Sequence, residues 1–335
     1  MTGPPVAVVT GATGGVGYAT SLALAARGYL VVLVARDRRR GARAAEAAAA
    51  AASVAPQVVH ADLEDLASVE HAAEDISCAH ERVDLLINNA GILVPERSMT
   101  TDGFERTFQV NHLAHFLLTS LLEPALLAAP AARIVTVASD LHNRGRIDLG
   151  DLNGSRAWDP WQAYCNSKLA NVLFAHALAD RLGRTKATSN ALHPGVLASD
   201  FGREMSRSRD GGSAGFQPFG EPPSVGALAV LHLATDPELE RVTGKYFDRM
   251  SARPPSVAAT DHGLRRALWT QSQRLLASAG HPGAFAAPPG GEPASARSPA
   301  PASVPTVPPQ GDVAPRNDAA PLPRTAPAPM TGGHP

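Results

Sequence analysis

Cysteine is nearly absent: Cys78 and Cys165 are the only two in 335 residues, and they lie far apart. That usage excludes a disulfide framework and a cysteine-built metal centre, and it fits a reducing cytoplasm. Charge of one sign is not in excess either, with 30 Lys+Arg against 31 Asp+Glu, so bulk electrostatics favour neither nucleic acid nor an acidic membrane surface. No apolar run approaches the roughly 18 to 20 residues that span a bilayer. The first strand pattern begins at Val6 and leaves no room for a signal peptide. The expectation is a cytoplasmic protein with no membrane span and no nucleic acid partner. His/Cys/Asp groups at metal-ligand spacing are lacking, as is a serine-hydrolase elbow before a helix, so no metal is expected.

What the chain does have is apolar patterning. Its hydrophobic content of 44% is ample for a sizeable core. From Val6 to about Gly280, short Val/Ile/Leu runs alternate with Ala/Leu-rich stretches, the pattern of repeated strand and crossover-helix units. Strands are expected at 6–10, 29–35, 57–60, 83–88, 133–139, 188–193 and 246–247. Runs such as Val83-Asp84-Leu85-Leu86-Ile87 suit strands covered on both faces. The expected fold is α/β, a single Rossmann-type doubly wound parallel sheet of about seven strands over residues 1–280. After Gly280 the composition shifts, and 15 of the 29 prolines fall within 281–335. Such a segment cannot bury enough surface to offset its ordering entropy, so a disordered Pro/Ala-rich tail is expected, with partner docking as a second reading.

The run Val8-Val9-Thr10-Gly11-Ala12-Thr13-Gly14-Gly15-Val16-Gly17 sets a glycine-rich turn directly after the first strand and before an apolar helix. Glycines permit the tight turn and let backbone approach a pyrophosphate, whose charge then sits at the helix N-terminus. A glycine pattern alone is also compatible with a ligand-free strand-to-helix turn. Further along stand Asp62-Leu63, Asn88-Asn89-Ala90-Gly91, Asn111, Ser139, Tyr164-x-x-x-Lys168 and His193-Pro194-Gly195. In order and approximate spacing these segments resemble the short-chain dehydrogenase/reductase family, from about Pro5 to Gly280. Thr13 and Gly14 depart from the family's usual residues but leave its three glycines in place.

That resemblance implies a set of cofactor contacts: Thr10, Gly11, Thr13, Gly14, Gly15, Val16 and Gly17 in the turn, and Asp62 and Leu63 at the adenine. Asn89, Ala90 and Gly91 would flank the cofactor, and Pro194, Gly195, Val196 and Ser199 would lie on the nicotinamide side. Alone, Asp62 would read as a helix-capping or solvated aspartate. The choice of cofactor falls just past the second strand, at Ala35-Arg36-Asp37. An NAD enzyme usually carries a carboxylate at the strand's end for the ribose 2′-hydroxyl, and that position here is Ala35. Arg36, with Arg40 as a helper, offers donors suited to a 2′-phosphate, so NADP(H) is favoured over NAD(H). Asp37 is close enough that a one-residue shift of register would weaken that choice.

Tyr164 and Lys168 are four apart and project from one helix face, so they can share one substrate. A phenol with an ordinary pKa near 10 must exchange a proton near neutral pH to serve as general acid or base, and the adjacent ammonium is expected to lower that pKa. Ser139 ends an apolar strand, where its hydroxyl can meet a substrate oxygen at the carboxyl edge of the sheet. The resemblance makes Asn111 a fourth catalytic member, whose backbone carbonyl holds a water linked to the lysine. It also implies that Tyr164 and Lys168 touch the cofactor, the lysine through the nicotinamide ribose.

The runs around Tyr164, Asn111 and Gly244-Lys245-Tyr246-Phe247 look most like the retinol dehydrogenase branch, which also resembles protochlorophyllide reductases and WW-domain oxidoreductases. The implied activity is NADP(H)-dependent interconversion of an alcohol and a carbonyl of a small-molecule substrate. The alternative is a catalytically idle NADP-binding redox sensor or regulator. Family habit also implies a homo-oligomer through the fourth and fifth helices. The segment from Arg203 to Gly212, with its arginines, reads either as a lid for a polar or acidic substrate or as a solvated loop.

Overall fold

A computed structural model describes residues 3–198 and 220–286. In chain order it has β1 (Val6–Thr10), α1 (Gly15–Ala25), β2 (Leu30–Ala35), α2 (Arg38–Ala49), β3 (Gln57–His60), α3 (Leu66–Ala79) and β4 (Leu85–Asn88). Next come α4 (Arg106–Phe108), a π-helical turn over Gln109–Leu113, α5 (Ala114–Leu121), α6 (Glu123–Ala128) and β5 (Arg133–Val137). A 3-10 turn (Asp140–Arg144), α7 (Pro160–Leu182), β6 (Thr188–His193), α8 (Pro223–Thr235), β7 (Tyr246–Asp248) and β8 (Ser251–Arg253) follow. The last elements are α9 (Val257–Thr260) and α10 (His262–Ser278).

The strands form one sheet in the order β3-β2-β1-β4-β5-β6-β7-β8. Every neighbouring pair from β3 to β7 is parallel. All five residues of β1 and of β5 are buried, as expected of strands with helices on both faces. One face packs α3, α5, α7 and α10 through residues such as Leu66, Phe116, Leu173 and Leu268. The other packs α1, α2 and α8 through Leu24, Ala44 and Val230. Chain order reverses between β1 and β4, so their carboxyl ends frame the crevice where such sheets bind ligands. Among the described residues, no helix is long and apolar enough to cross a membrane.

Two expectations need correction. The sheet has eight strands, because β8 folds back antiparallel on β7. Its residues Ser-Ala-Arg are all exposed, so no apolar pattern marked it. The helix bearing Tyr164 starts at Pro160, with Asp159 accepting the Gln162 amide as its cap, a usual start for a helix with proline in its first turn. The packed domain also runs past Gly280. Phe285 is 4% exposed and meets Trp269 at 4.6 Å and Phe116 at 5.0 Å between ring centroids.

Phe285 adopts a left-handed φ of 50°, a cost that persists only where packing over-determines the residue. Its amide donates to Ser120 Oγ, and the Arg181 guanidinium lies over its ring. The compact unit accordingly ends at Ala286, and the rest of the proline-rich tail lies outside the described residues. The same wrapping buries seven of the eight residues of α5, and α10 lies along α7.

A chain ended at Gly280 should therefore be less stable than one ended at Ala286, by about 3 kcal/mol for the loss of a buried phenylalanine. Thermal melts of the two would decide it; superimposable curves would show that residues 281–286 contribute nothing.

Candidate active site

The glycine turn links β1 to α1. Gly11 and Gly15 have φ values of +65° and +54°, which favour glycine. Gly17 has no room for a side chain, since a Cβ there would lie 2.4 Å from Asn89 Nδ2 and 2.5 Å from Gly11 O. Helices α2, α3, α7 and α10 each have an aspartate accepting their first amides. Helix α1 has none: Gly14 provides no side-chain cap, and no acidic residue lies in its first turn. Its leading N–H groups and dipole are left for an anion, as a pyrophosphate requires. Thr13 and Val16 line this turn, and a Cβ on Gly14 would sit 3.4 Å from Arg40 Nη2.

Across the switch point, the end of β1 is joined to the loop after β4. Thr10 Oγ1 accepts the amides of Asn89 at 2.9 Å and Ala90 at 3.0 Å, while Asn89 Nδ2 donates to Thr10 O at 2.9 Å. Gly91 follows against Lys168, whose Nζ would be 3.3 Å from a Cβ there. The cofactor-side residues Thr10, Asn89, Ala90 and Gly91 thus form one floor with the lysine.

At the adenine end, the Asp62 carboxylate accepts the Glu64 amide at 3.0 Å, and its own amide donates to Ser68 Oγ. This half-buried side chain thus closes a turn in its own loop, while the cap of α3 is Asp65. Leu63 is buried in the core, and its carbonyl accepts from Gln109 Nε2 at 3.4 Å. Asp37 accepts the amides of Arg39 and Arg40 at 2.8 and 3.0 Å, and the Arg40 amide holds its carboxyl below the usual carboxylate range. Its carboxylate serves the start of α2. Arg40 reaches Thr13 O at 3.4 Å, whereas Arg36 is paired with Glu64 Oε1 at 2.8 Å, a carboxylate shared with Arg106. Of the two arginines, Arg40 therefore lies nearer the glycine turn.

The reacting groups gather at the carboxyl ends of β5 and β6. Ser139 caps the 3-10 turn by accepting the Leu141 amide at 3.2 Å. Tyr164, 7% exposed, hydrogen-bonds the Ser139 side chain. Lys168, 3% exposed, donates to Val137 O at 3.0 Å and lies 5.5 Å from the centre of the Tyr164 ring. The expected lowering of the phenol does not occur. Burial pushes Tyr164 well above the ordinary phenol value, and the Ser139 hydrogen bond opposes it only in part. Burial also lowers Lys168 to about 8. Desolvation disfavours both charged forms, and the lysine donates to the Val137 carbonyl.

Asn111 stands in the π-helical turn and is fully buried. Its side chain accepts the Ile92 amide at 2.8 Å and donates to Ile92 O at 3.0 Å and Ser167 Oγ at 2.9 Å. Two histidines that the sequence left unassigned also brace the site. His115 lies between Thr10 and Asn111. His142 lies between Ser139 O, 2.8 Å from Nδ1, and the Ser256 amide, which donates to Nε2 at 3.1 Å. The i,i+4 spacing of Asn111 and His115 was the available signal for the first. For the second, no local signal ties 142 to 256.

Beyond β6 the chain turns through Pro194 and Gly195, the latter at φ +99°. A Cβ on Gly195 would be 3.2 Å from Arg249 Nε, and the Arg249 amide donates to His193 O at 2.8 Å. Val196 is half exposed. Glu221 donates its amide to Val196 O and accepts that of Ala198 at 2.9 and 2.8 Å, so the chain leaving at Ala198 is clamped to the chain returning at Gly220. Ser199 and the arginine-bearing segment after it lie outside the described residues. Among the described residues, no group of His, Cys, Asp and Glu could hold a metal ion.

The family model described as "short chain dehydrogenase" matches residues 5–210. Retinol dehydrogenase 13 of Mus musculus is 41% identical over 288 residues, covering 82% of this chain and 86% of its own. Polyprenol dehydrogenase of Mus musculus is 39% identical over 287 residues, covering 82% and 84%. Among solved structures, an uncharacterized protein from Mycobacterium Paratuberculosis is 34% identical with a TM-score of 0.66, covering 82% of this chain and 93% of that one. A short chain dehydrogenase from Escherichia coli CFT073 complexed with NADPH is 25% identical with a TM-score of 0.60, covering 74% and 98%. With the glycine turn and the Ser139, Tyr164 and Lys168 cluster in one crevice, this chain belongs to the short-chain dehydrogenase family, in its retinol dehydrogenase-like branch.

Proposed function

We propose that the protein is an NADP(H)-dependent oxidoreductase that interconverts an alcohol and a carbonyl, with Tyr164 as the general acid and base. The carrying observation is the buried Tyr164 hydrogen-bonded to Ser139, with Lys168 one helical turn on, beside a helix start open to a phosphate. The nucleotide supplies or accepts the hydride when bound. Gly11 to Gly17 and the first turn of α1 would hold its pyrophosphate, and Asp62 and Leu63 would meet its adenine. Pro194, Gly195, Val196 and Ser199 would meet its nicotinamide. The retinol and polyprenol of the relatives' names are both alcohols, which supports the reaction class. The cytoplasmic location belongs to this proposal too, as does a homo-oligomer.

In carbonyl reduction, Ser139 donates to the substrate oxygen and Tyr164 gives that oxygen its proton. Lys168, an ammonium 5.5 Å from the centre of the Tyr164 ring, would favour the phenolate left behind through its charge and would bond the nicotinamide ribose. In alcohol oxidation the proton returns to Tyr164, and a positive nicotinamide ring beside the phenol would favour the phenolate that burial alone disfavours.

Tyr164→Phe preserves the ring and removes the proton donor. It should slow single-turnover carbonyl reduction by about 10² to 10⁴-fold, the usual share of general acid/base catalysis, with NADPH affinity nearly intact. Parental rates would point to a different donor or to the idle NADP-binding alternative.

The two burial shifts also set a pH dependence. Tyr164 stays protonated across the neutral and mildly alkaline range, while Lys168 is an ammonium below about pH 8 and loses its charge above it. For carbonyl reduction, kcat/KM should therefore hold steady below pH 8 and fall above it. A profile flat from about pH 6 to 10 would contradict a role for the charged lysine.

For the cofactor, Ala35 at the strand end and Arg36 and Arg40 after it support the phosphate-bearing form. NADPH should bind more tightly than NADH, and the double variant Arg36→Leu, Arg40→Leu should erase the difference. Titration of the unmodified protein with both cofactors gives the answer, and equal dissociation constants would reverse the assignment.

A further inference from the structure

His115 is 1% exposed and sits between the two halves of the crevice. Its Nδ1 is 3.1 Å from Asn111 O, and its Nε2 is 2.9 Å from Thr10 Oγ1. A carbonyl oxygen can only accept, so Nδ1 carries the ring proton. Burial holds this imidazole well below its ordinary range, at about 4, so the ring is neutral near pH 7 and Nε2 presents a lone pair. The Thr10 hydroxyl must then donate to Nε2. That leaves both of its own lone pairs for the amides of Asn89 and Ala90, at 2.9 and 3.0 Å. The other acceptor for the hydroxyl proton, Ile87 O, is more distant at 3.3 Å.

The other end of the bridge is equally defined. In the π-helical turn the Ala114 amide reaches back five residues to Gln109 O, and such turns leave carbonyls outside the four-residue ladder. The Asn111 side chain is meanwhile committed to both backbone groups of Ile92 and to Ser167. Asn111 thereby fixes Gly91 and Ile92, and a Cβ on Gly91 would lie 3.5 Å from Asn111 Oδ1 and 3.3 Å from Lys168 Nζ.

We propose that His115, as the Nδ1–H tautomer, is a positioning residue: one nitrogen orients the Thr10 hydroxyl beneath the Asn89–Ala90 loop, and the other holds the Asn111 backbone, whose side chain ties Ile92 and seats Gly91 against Lys168. The bridge couples the nucleotide floor to the proton-transfer side through a single ring. This rests on the proposed function for its catalytic half, while its binding half needs only that the crevice takes the nucleotide.

Two near-isosteric substitutions separate the halves. In the full-length protein, His115→Asn keeps a donor near the Nδ1 position and loses the Thr10 contact. His115→Gln keeps an acceptor near the Nε2 position and loses the Asn111 contact. The asparagine variant should weaken NADPH binding about five- to tenfold with little change in kcat, since one net hydrogen bond is lost. The glutamine variant should bind NADPH within about twofold of the parent and lose about tenfold in kcat for carbonyl reduction. Nitrogen-15 NMR of the unmodified, nucleotide-free protein should show His115 protonated at Nδ1. Equal losses of binding and turnover in both variants, or an Nε2–H signature, would overturn the proposal. If the parent binds NADPH but reduces no carbonyl, the functional proposal fails, while the binding split and the tautomer still decide this one.

Discussion

The hydroxyl of Thr10 receives two amides from the opposite side of the switch point, and the crevice depends on that junction. β1 and β4 are parallel neighbours whose connections run to opposite faces of the sheet. Beyond the last ladder hydrogen bond, parallel strands have nothing to keep their loops together. Here one side-chain oxygen takes over where the ladder stops. Asn89 adds a second tie through its side chain to Thr10 O, and the same side chain fills the space that a Cβ on Gly17 would claim. The glycine turn, the β4 loop and the start of α1 therefore hold one another at a fixed spacing, and a nucleotide would enter a preformed bed.

The proton-transfer groups follow a different rule. Tyr164 and Lys168 emerge from an almost wholly enclosed helix, and water exclusion pushes both toward neutrality. Desolvation thus favours the neutral phenol and works against the charge of the lysine.

Much of this was legible in the sequence because it is local. Strand positions follow from apolar runs, the glycine turn from its place between a strand and a helix, and the Tyr164 and Lys168 pair from a four-residue spacing. What was missed depends on contacts across the fold. β8 has an exposed Ser-Ala-Arg sequence and is recruited by pairing with β7 alone. Phe285 lies in a proline-rich, small-residue context, and only its docking against Trp269 and Phe116 ties it to the core. The direction of the Tyr164 shift was misjudged because spacing places a cation nearby without saying where its ammonium points. Lys168 is held by Val137 O, a contact 31 residues away in sequence.

The clamp at Glu221 bears on how such a protein changes over evolutionary time. The chain departs at Ala198 and returns at Gly220 through paired backbone hydrogen bonds that involve no particular side chain. Whatever lies between is rooted at both ends in the same short ladder, one residue from the turn at Gly195. A change of chain length between those two ends would leave the position of Pro194 and Gly195 untouched, because the backbone clamp absorbs it. Such a change needs no matching repair of the turn.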